Sequence, residues 1–119
     1  MVTGSDVLIV FRALFAVGLV GVVLASLLPL NVKVPVDNSD KVIHFISYFA
    51  LFMLGAAGFS ERRRRWQLLI LLPVLGIRLE IGQHFVPGRH GGWPDAAANT
   101  AGVLAAAASL MLWRKMIRR

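Results

Sequence analysis

The chain has no cysteine, a single tyrosine and six acidic side chains, and only 16% of its 119 residues are charged. Each shortage removes a class of function. Without cysteine there are no disulfides, thiolate metal sites or cysteine nucleophiles. Soluble domains carry about 25% charged residues. Here 57% of residues are hydrophobic and mean hydropathy is +0.70, so the bilayer is the solvent for most of the chain. No nucleophile elbow, glycine-rich phosphate loop, zinc-ligand spacing or internal repeat is present. The charge that does exist is concentrated. Arg62, Arg63, Arg64 and Arg65 form one block, Arg114, Lys115, Arg118 and Arg119 another, and the net charge is +7. Blocks of this kind beside apolar runs orient membrane proteins and meet anionic membrane lipids, and no nucleic-acid partner is expected.

Four apolar segments, about 7–28, 40–59, 66–85 and 95–113, are each long enough to cross a hydrocarbon layer of ~30 Å at ~1.5 Å per residue. The first reads as an uncleaved helix rather than a signal peptide. Asp6 and no base precede it, the run exceeds a signal core, and Arg12 interrupts it. Arg12 is expected to snorkel back to the head groups. Residues 29–39 form a loop by punctuation, with Ser39 or Asp40 as the cap of the second helix. Residues 60–65 read as a short basic turn, Pro73 as a kink in the third helix, and 86–94 as a Gly/Pro loop. The fourth helix is rich in alanine, which lets neighbours approach its backbone.

Four spans put the N-terminus, the Arg62 to Arg65 block and the C-terminus on one side, which the positive-inside rule makes cytoplasmic. Trp66 and Trp113 fit interfacial anchors beside those blocks. The expected fold class is therefore all-α: one domain over 1–119, a four-transmembrane-helix bundle with both termini cytoplasmic, multi-pass in the cytoplasmic membrane.

That orientation brings polar residues of three helices to one outer level. Lys41, His44 and Tyr48 stand at i, i+3 and i+7, one column on a helix. Gly76, Glu80 and Gln83 share a face of the third helix, and Asp95, Asn99, Gly102, Ala106 and Ser109 share a face of the fourth. Ionisable groups at such depth cost about 2.5–3.5 kcal/mol each unless paired or wetted. Glu80 and Asp95 can neutralise Lys41 and Arg89, with His44, Tyr48, Gln83 and Asn99 supplying hydrogen bonds. These eight are the candidate ligand-binding residues, and His44, Glu80 and Asp95 the candidate acid/base set. The plainer alternative is polar glue between helices. A metal at His44, Glu80 and Asp95 matches no recognised ligand spacing, so neither metal nor cofactor is expected. His84 and His90 read as wetted bystanders. Arg78 lies on the face opposite Glu80, where a partner in a homo-oligomer is one account of it.

Asp40-Lys41 with His44 and Tyr48, Glu80 with Gln83, then Arg89, Asp95, Asn99 and Gly102 resemble the pattern of the VanZ-like family over about residues 40 to 105. The resemblance implies a four-helix membrane domain. For the founding member it also implies lowered susceptibility to a lipid-anchored glycopeptide antibiotic. Arg78 departs from the family pattern, which expects an uncharged residue there. Three functions follow: an outward-facing pocket for an anionic or lipid-linked cell-envelope molecule, an acid/base enzyme acting on a lipid-linked phosphoryl or acyl bond, or a structural subunit of a membrane complex.

Overall fold

The computed structural model of the chain describes residues 2–28, 39–86 and 92–118, with the backbone alone at 39 and 40. Four helices account for them: α1 (Gly4–Leu27), α2 (Ser39–Gly58), α3 (Arg62–Gln83) and α4 (Trp93–Ile117). At ~1.5 Å per residue they run about 30–38 Å, and all four are long and apolar enough to cross a membrane. The protein is an all-α, multi-pass membrane bundle.

Local chemistry explains where the helices begin and end. Thr3 and Asp6 form a capping box: Asp6 N–H donates to Thr3 Oγ1 at 3.2 Å, and Thr3 N–H to Asp6 Oδ2 at 2.9 Å. Ser39 and Asp40, expected as caps of α2, lie inside its first turn instead. The basic stretch expected as a turn is largely helical. Arg62 to Arg65 form the first turn of α3, because arginine is a good helix former, and the linker shrinks to residues 59–61. Helix α3 continues through Pro73. Helix α4 starts at Trp93 with Pro94 in its first turn, where a missing N–H costs nothing. It runs past Trp113 to Ile117, with Arg114 and Lys115 in its last turn meeting the negative end of the helix dipole.

Packing follows from small residues. Helices α2 and α4 run in the same direction and share the most extensive interface, with α3 against both. Within that interface a Cβ added to Gly102 would overlap the Phe45 carbonyl oxygen. Helix α1 lies antiparallel along α2, touches α3, and among the described residues makes no contact with α4. None of its residues is buried. Gly18 faces Leu51, Gly55 faces Phe15, and Gly58 faces Arg12. The core runs down the bundle through Tyr48, Leu51, Phe52 and Ala56 of α2, Leu72 of α3, and Val103 and Ala106 of α4. All fall at helical spacing on one face of their helix. In lipid such an interface is held by close van der Waals packing rather than by exclusion of water.

Arg12 corrects an expectation. It does not simply snorkel: its Nε–H donates to the Gly58 carbonyl at 2.8 Å and its guanidinium lies 4.9 Å from the centre of the Phe59 ring. The last carbonyls of α2 lack intrahelical donors, and Arg12 supplies one from the neighbouring helix.

Candidate functional site

At the end of the bundle away from the arginine block, three helices place buried polar side chains at one level. Asn99 is 2% exposed, Gln83 5%, Glu80 6% and Asp95 7%. Each occupies a position that its helical phase turns inward: Glu80 and Gln83 continue the stripe of Leu72, Gly76 and Leu79, and Asp95 and Asn99 continue that of Val103 and Ala106. Helix α2 adds His44, half-buried, and Tyr48, which is 2% exposed. Counting from the helix ends at ~1.5 Å per residue, the set extends from about 3 Å below the end at Asp95 to about 14 Å at Tyr48.

The contacts are specific. His44 Nδ1 lies 2.9 Å from Asn99 Oδ1. An amide oxygen only accepts, so Nδ1–H is the donor, and this bond orients the ring. The other nitrogen, Nε2, then faces Asp95 Oδ2 at 3.7 Å. Glu80 accepts the Gly92 backbone N–H on Oε2 at 2.7 Å, which ties α3 to the residue preceding α4. Gly76 makes the close approach possible. An added Cβ would sit 3.1 Å from Asn99 Nδ2 and 3.4 Å from the Tyr48 ring.

A nitrogen of His44 and one oxygen each of Glu80 and Asp95 all lie within 4.8 Å of one another. A tetrahedral divalent ion with bonds of ~2.1 Å would bring its ligands to about 3.4 Å apart, so these side chains would have to close up to hold one. Chemically, the arrangement sets an imidazole beside two carboxylates, in a setting of low dielectric.

The sequence-predicted residues divide. The structure brings His44, Tyr48, Glu80, Gln83, Asp95 and Asn99 together. Lys41 is exposed, one turn nearer the helix end than His44. Arg89 and His90 lie outside the described residues. Ser109, expected on the same face as Asn99, is exposed and its hydroxyl donates to the Ala105 carbonyl at 2.8 Å. His84 caps the C-terminus of α3 and is exposed. Arg78 is exposed as well, about 7.5 Å from the end of α3, within reach of the head groups for a side chain of its length. Sequence reasoning missed the Gly92 amide, since any residue but proline could supply that donor and nothing in the residue type marks it.

No curated protein and no solved structure shows significant similarity to the chain. A family model does. Described as VanZ/LLP1, it matches residues 7–114, which extends the likeness beyond the polar cluster to take in α1 and nearly all of α4. With four membrane-crossing helices and a match over nearly its whole length, the chain belongs to the VanZ/LLP1 family.

Proposed function

We propose that the protein holds the polar head of a lipid-linked cell-envelope molecule in the cluster at the outward end of α2, α3 and α4. The observation that carries this reading is the approach of His44, Glu80 and Asp95 to within 4.8 Å of one another. Two carboxylates and an imidazole held this close in a membrane favour a ligand with hydrogens to donate. Hydroxyls and ammonium groups are such donors, and the sugar and amino-acid parts of envelope precursors are rich in them. The phosphate that joins such a head to its lipid needs positive charge at the rim. Lys41, exposed one turn above His44, is placed to meet it, and Arg89 is a second cation for the same role. Sequestering a molecule of this kind would change what a lipid-anchored glycopeptide meets at the membrane surface, the phenotype to which the family resemblance points. The outward orientation rests on the two basic blocks, which the positive-inside rule assigns to the cytoplasm of a bacterial-type inner membrane.

The test is mass spectrometry of lipids carried through purification in a mild detergent. Wild type is expected to retain a lipid-linked molecule. Lys41→Gln is expected to retain about fivefold less, from the ~1 kcal/mol that a cation near a membrane surface contributes toward an anion. Arg78→Gln, which alters a cation on another face, should retain as much as wild type. Equal loss in both variants, or no retained molecule in wild type, would reject the assignment.

One observation favours a second reading, an enzyme. Asn99 orients His44 through Nδ1 and turns Nε2 toward Asp95, the arrangement of a positioned general base or acid. Under that reading His44→Gln retains the lipid but abolishes its turnover.

A further inference from the structure

At the opposite end of the bundle, α3 and α4 enclose a groove of about 480 Å³, within the about 300–1,000 Å³ usual for ligand sites. Its walls carry Arg62 and Arg65 from the start of α3 and Arg114, Lys115 and Arg118 from the end of α4. Its floor is apolar, built from Phe52, Leu69 and Leu110. Trp66 stands at the side, 56% exposed, in the place of an interfacial aromatic.

Little acidic charge lies near these cations in the sequence. Glu61 is the one acidic side chain in the stretches 60–72 and 105–119, against five cations on the groove. Among the described residues none of the five is in an ion pair. Two of them also sit at the positive end of α3, where the helix dipole disfavours cations. The spacing within the arginine block is selective. Arg62 and Arg65, one turn apart, face the groove, while Arg63 and Arg64 do not line it and are exposed. A concave site with cations on its walls and apolar side chains on its floor matches an amphiphile with a phosphate head and acyl chains.

We propose that this groove is a binding site for an anionic phospholipid of the leaflet that contacts the basic end. Its phosphate lies between the Arg62/Arg65 wall and the Arg114/Lys115/Arg118 wall, and its chains run down over Leu69 and Leu110. Five cations exceed what one phosphodiester neutralises, so a lipid with two phosphates binds more tightly than one with a single phosphate. The site is independent of the polar cluster, which lies at the other end of the same helices, and it stands whatever that cluster holds.

The experiment uses the full chain in vesicles of phosphatidylcholine alone, or with phosphatidylglycerol or cardiolipin added. Bound lipid is counted by native mass spectrometry and stability followed by thermal unfolding. Wild type is expected to bind cardiolipin in preference to phosphatidylglycerol, and both in preference to phosphatidylcholine. Arg62→Gln/Arg65→Gln should weaken cardiolipin binding about 30-fold, two charges at about 1 kcal/mol each. Arg63→Gln/Arg64→Gln removes the same charge from the same block and should leave affinity within about threefold. Should the first pair fail to fold, Arg114→Gln/Arg118→Gln removes the facing wall and carries the same expectation. Inorganic phosphate should leave the unfolding temperature unchanged. Equal weakening by the two arginine pairs would reduce the groove to diffuse surface charge and overturn the proposal. So would protection by inorganic phosphate equal to that by cardiolipin, which would mark a soluble anion as the ligand.

Discussion

Replacing Gly102 by alanine is expected to cost about 1–3 kcal/mol of stability, and by valine more. The added Cβ would meet the Phe45 carbonyl oxygen, a backbone atom that cannot turn aside as a side-chain end could. The only relief is separation of α2 from α4 along their largest shared interface. Because helix association in lipid rests on close packing, that separation forfeits contacts the whole length of the core, from His44 and Asn99 down to Phe52 and Ala106. Gly21→Ala is the matched comparison. It sits in the interior of α1 with nothing within 4 Å of an added Cβ, so it should be neutral or gain up to about 1 kcal/mol of helix propensity. Thermal unfolding of the two variants in the same detergent separates a contact effect from a glycine effect.

Asn99→Leu is expected to lose both stability and ligand. The side chain is 2% exposed and its Oδ1 accepts from His44 Nδ1. Leucine keeps the branching at Cγ but is larger, so the change removes the acceptor and also crowds Gly76. Leaving a half-buried N–H without its acceptor costs about 1–3 kcal/mol, with the lower half of that range the better guide inside a membrane. The imidazole then loses the bond that holds Nε2 toward Asp95. His44→Asn makes the complementary change. Its amide nitrogen sits where Nδ1 was, so the link to Asn99 can persist while Nε2 is gone. Stability near wild type together with lost ligand in that variant would assign the two ring nitrogens separate duties, one structural and one toward the ligand. Unfolding temperature and retained lipid, measured on both variants, give the comparison.

How much of this was legible in the sequence depended on whether a property was periodic. Glu80, Gln83, Asp95 and Asn99 are buried because their helical phase places them on the stripe that also carries Gly76, Val103 and Ala106, and phase can be counted along a chain. The match of level between helices was legible for the same reason, since spans of about twenty residues fix depth within a turn. Lys41 shows the limit of that reasoning. It shares a column with Tyr48, yet Tyr48 is buried and Lys41 is exposed, because near the helix end there is less of the neighbouring helices to cover it. Charge misled at the start of α3, where four arginines read as a turn although arginine favours helix. Arg12 on Gly58, Gly102 against Phe45 and the Gly92 amide on Glu80 were not legible at all. All three join backbone atoms to partners on other elements, and a backbone atom leaves no signature in residue type.

The same distinction bears on whether the cluster holds a ligand or only holds the helices together. Hydrogen bonds such as His44 to Asn99 and Gly92 to Glu80 serve either purpose. Asp95 does not divide so evenly. Its carboxylate faces His44 Nε2 at 3.7 Å, and an amide in its place keeps hydrogen-bonding capacity for glue while removing the charge that a cationic group of a ligand needs.

The most direct measurement is therefore a paired one on Asp95→Asn: unfolding temperature and co-purified lipid, side by side with wild type. The substitution keeps shape and removes one negative charge. If the cluster is a ligand site, the lipid-linked molecule retained by wild type is lost, and stability measured after lipid removal changes by less than about 1 kcal/mol. A variant that retains the molecule in full while unfolding at a clearly lower temperature would contradict the account and make the cluster glue.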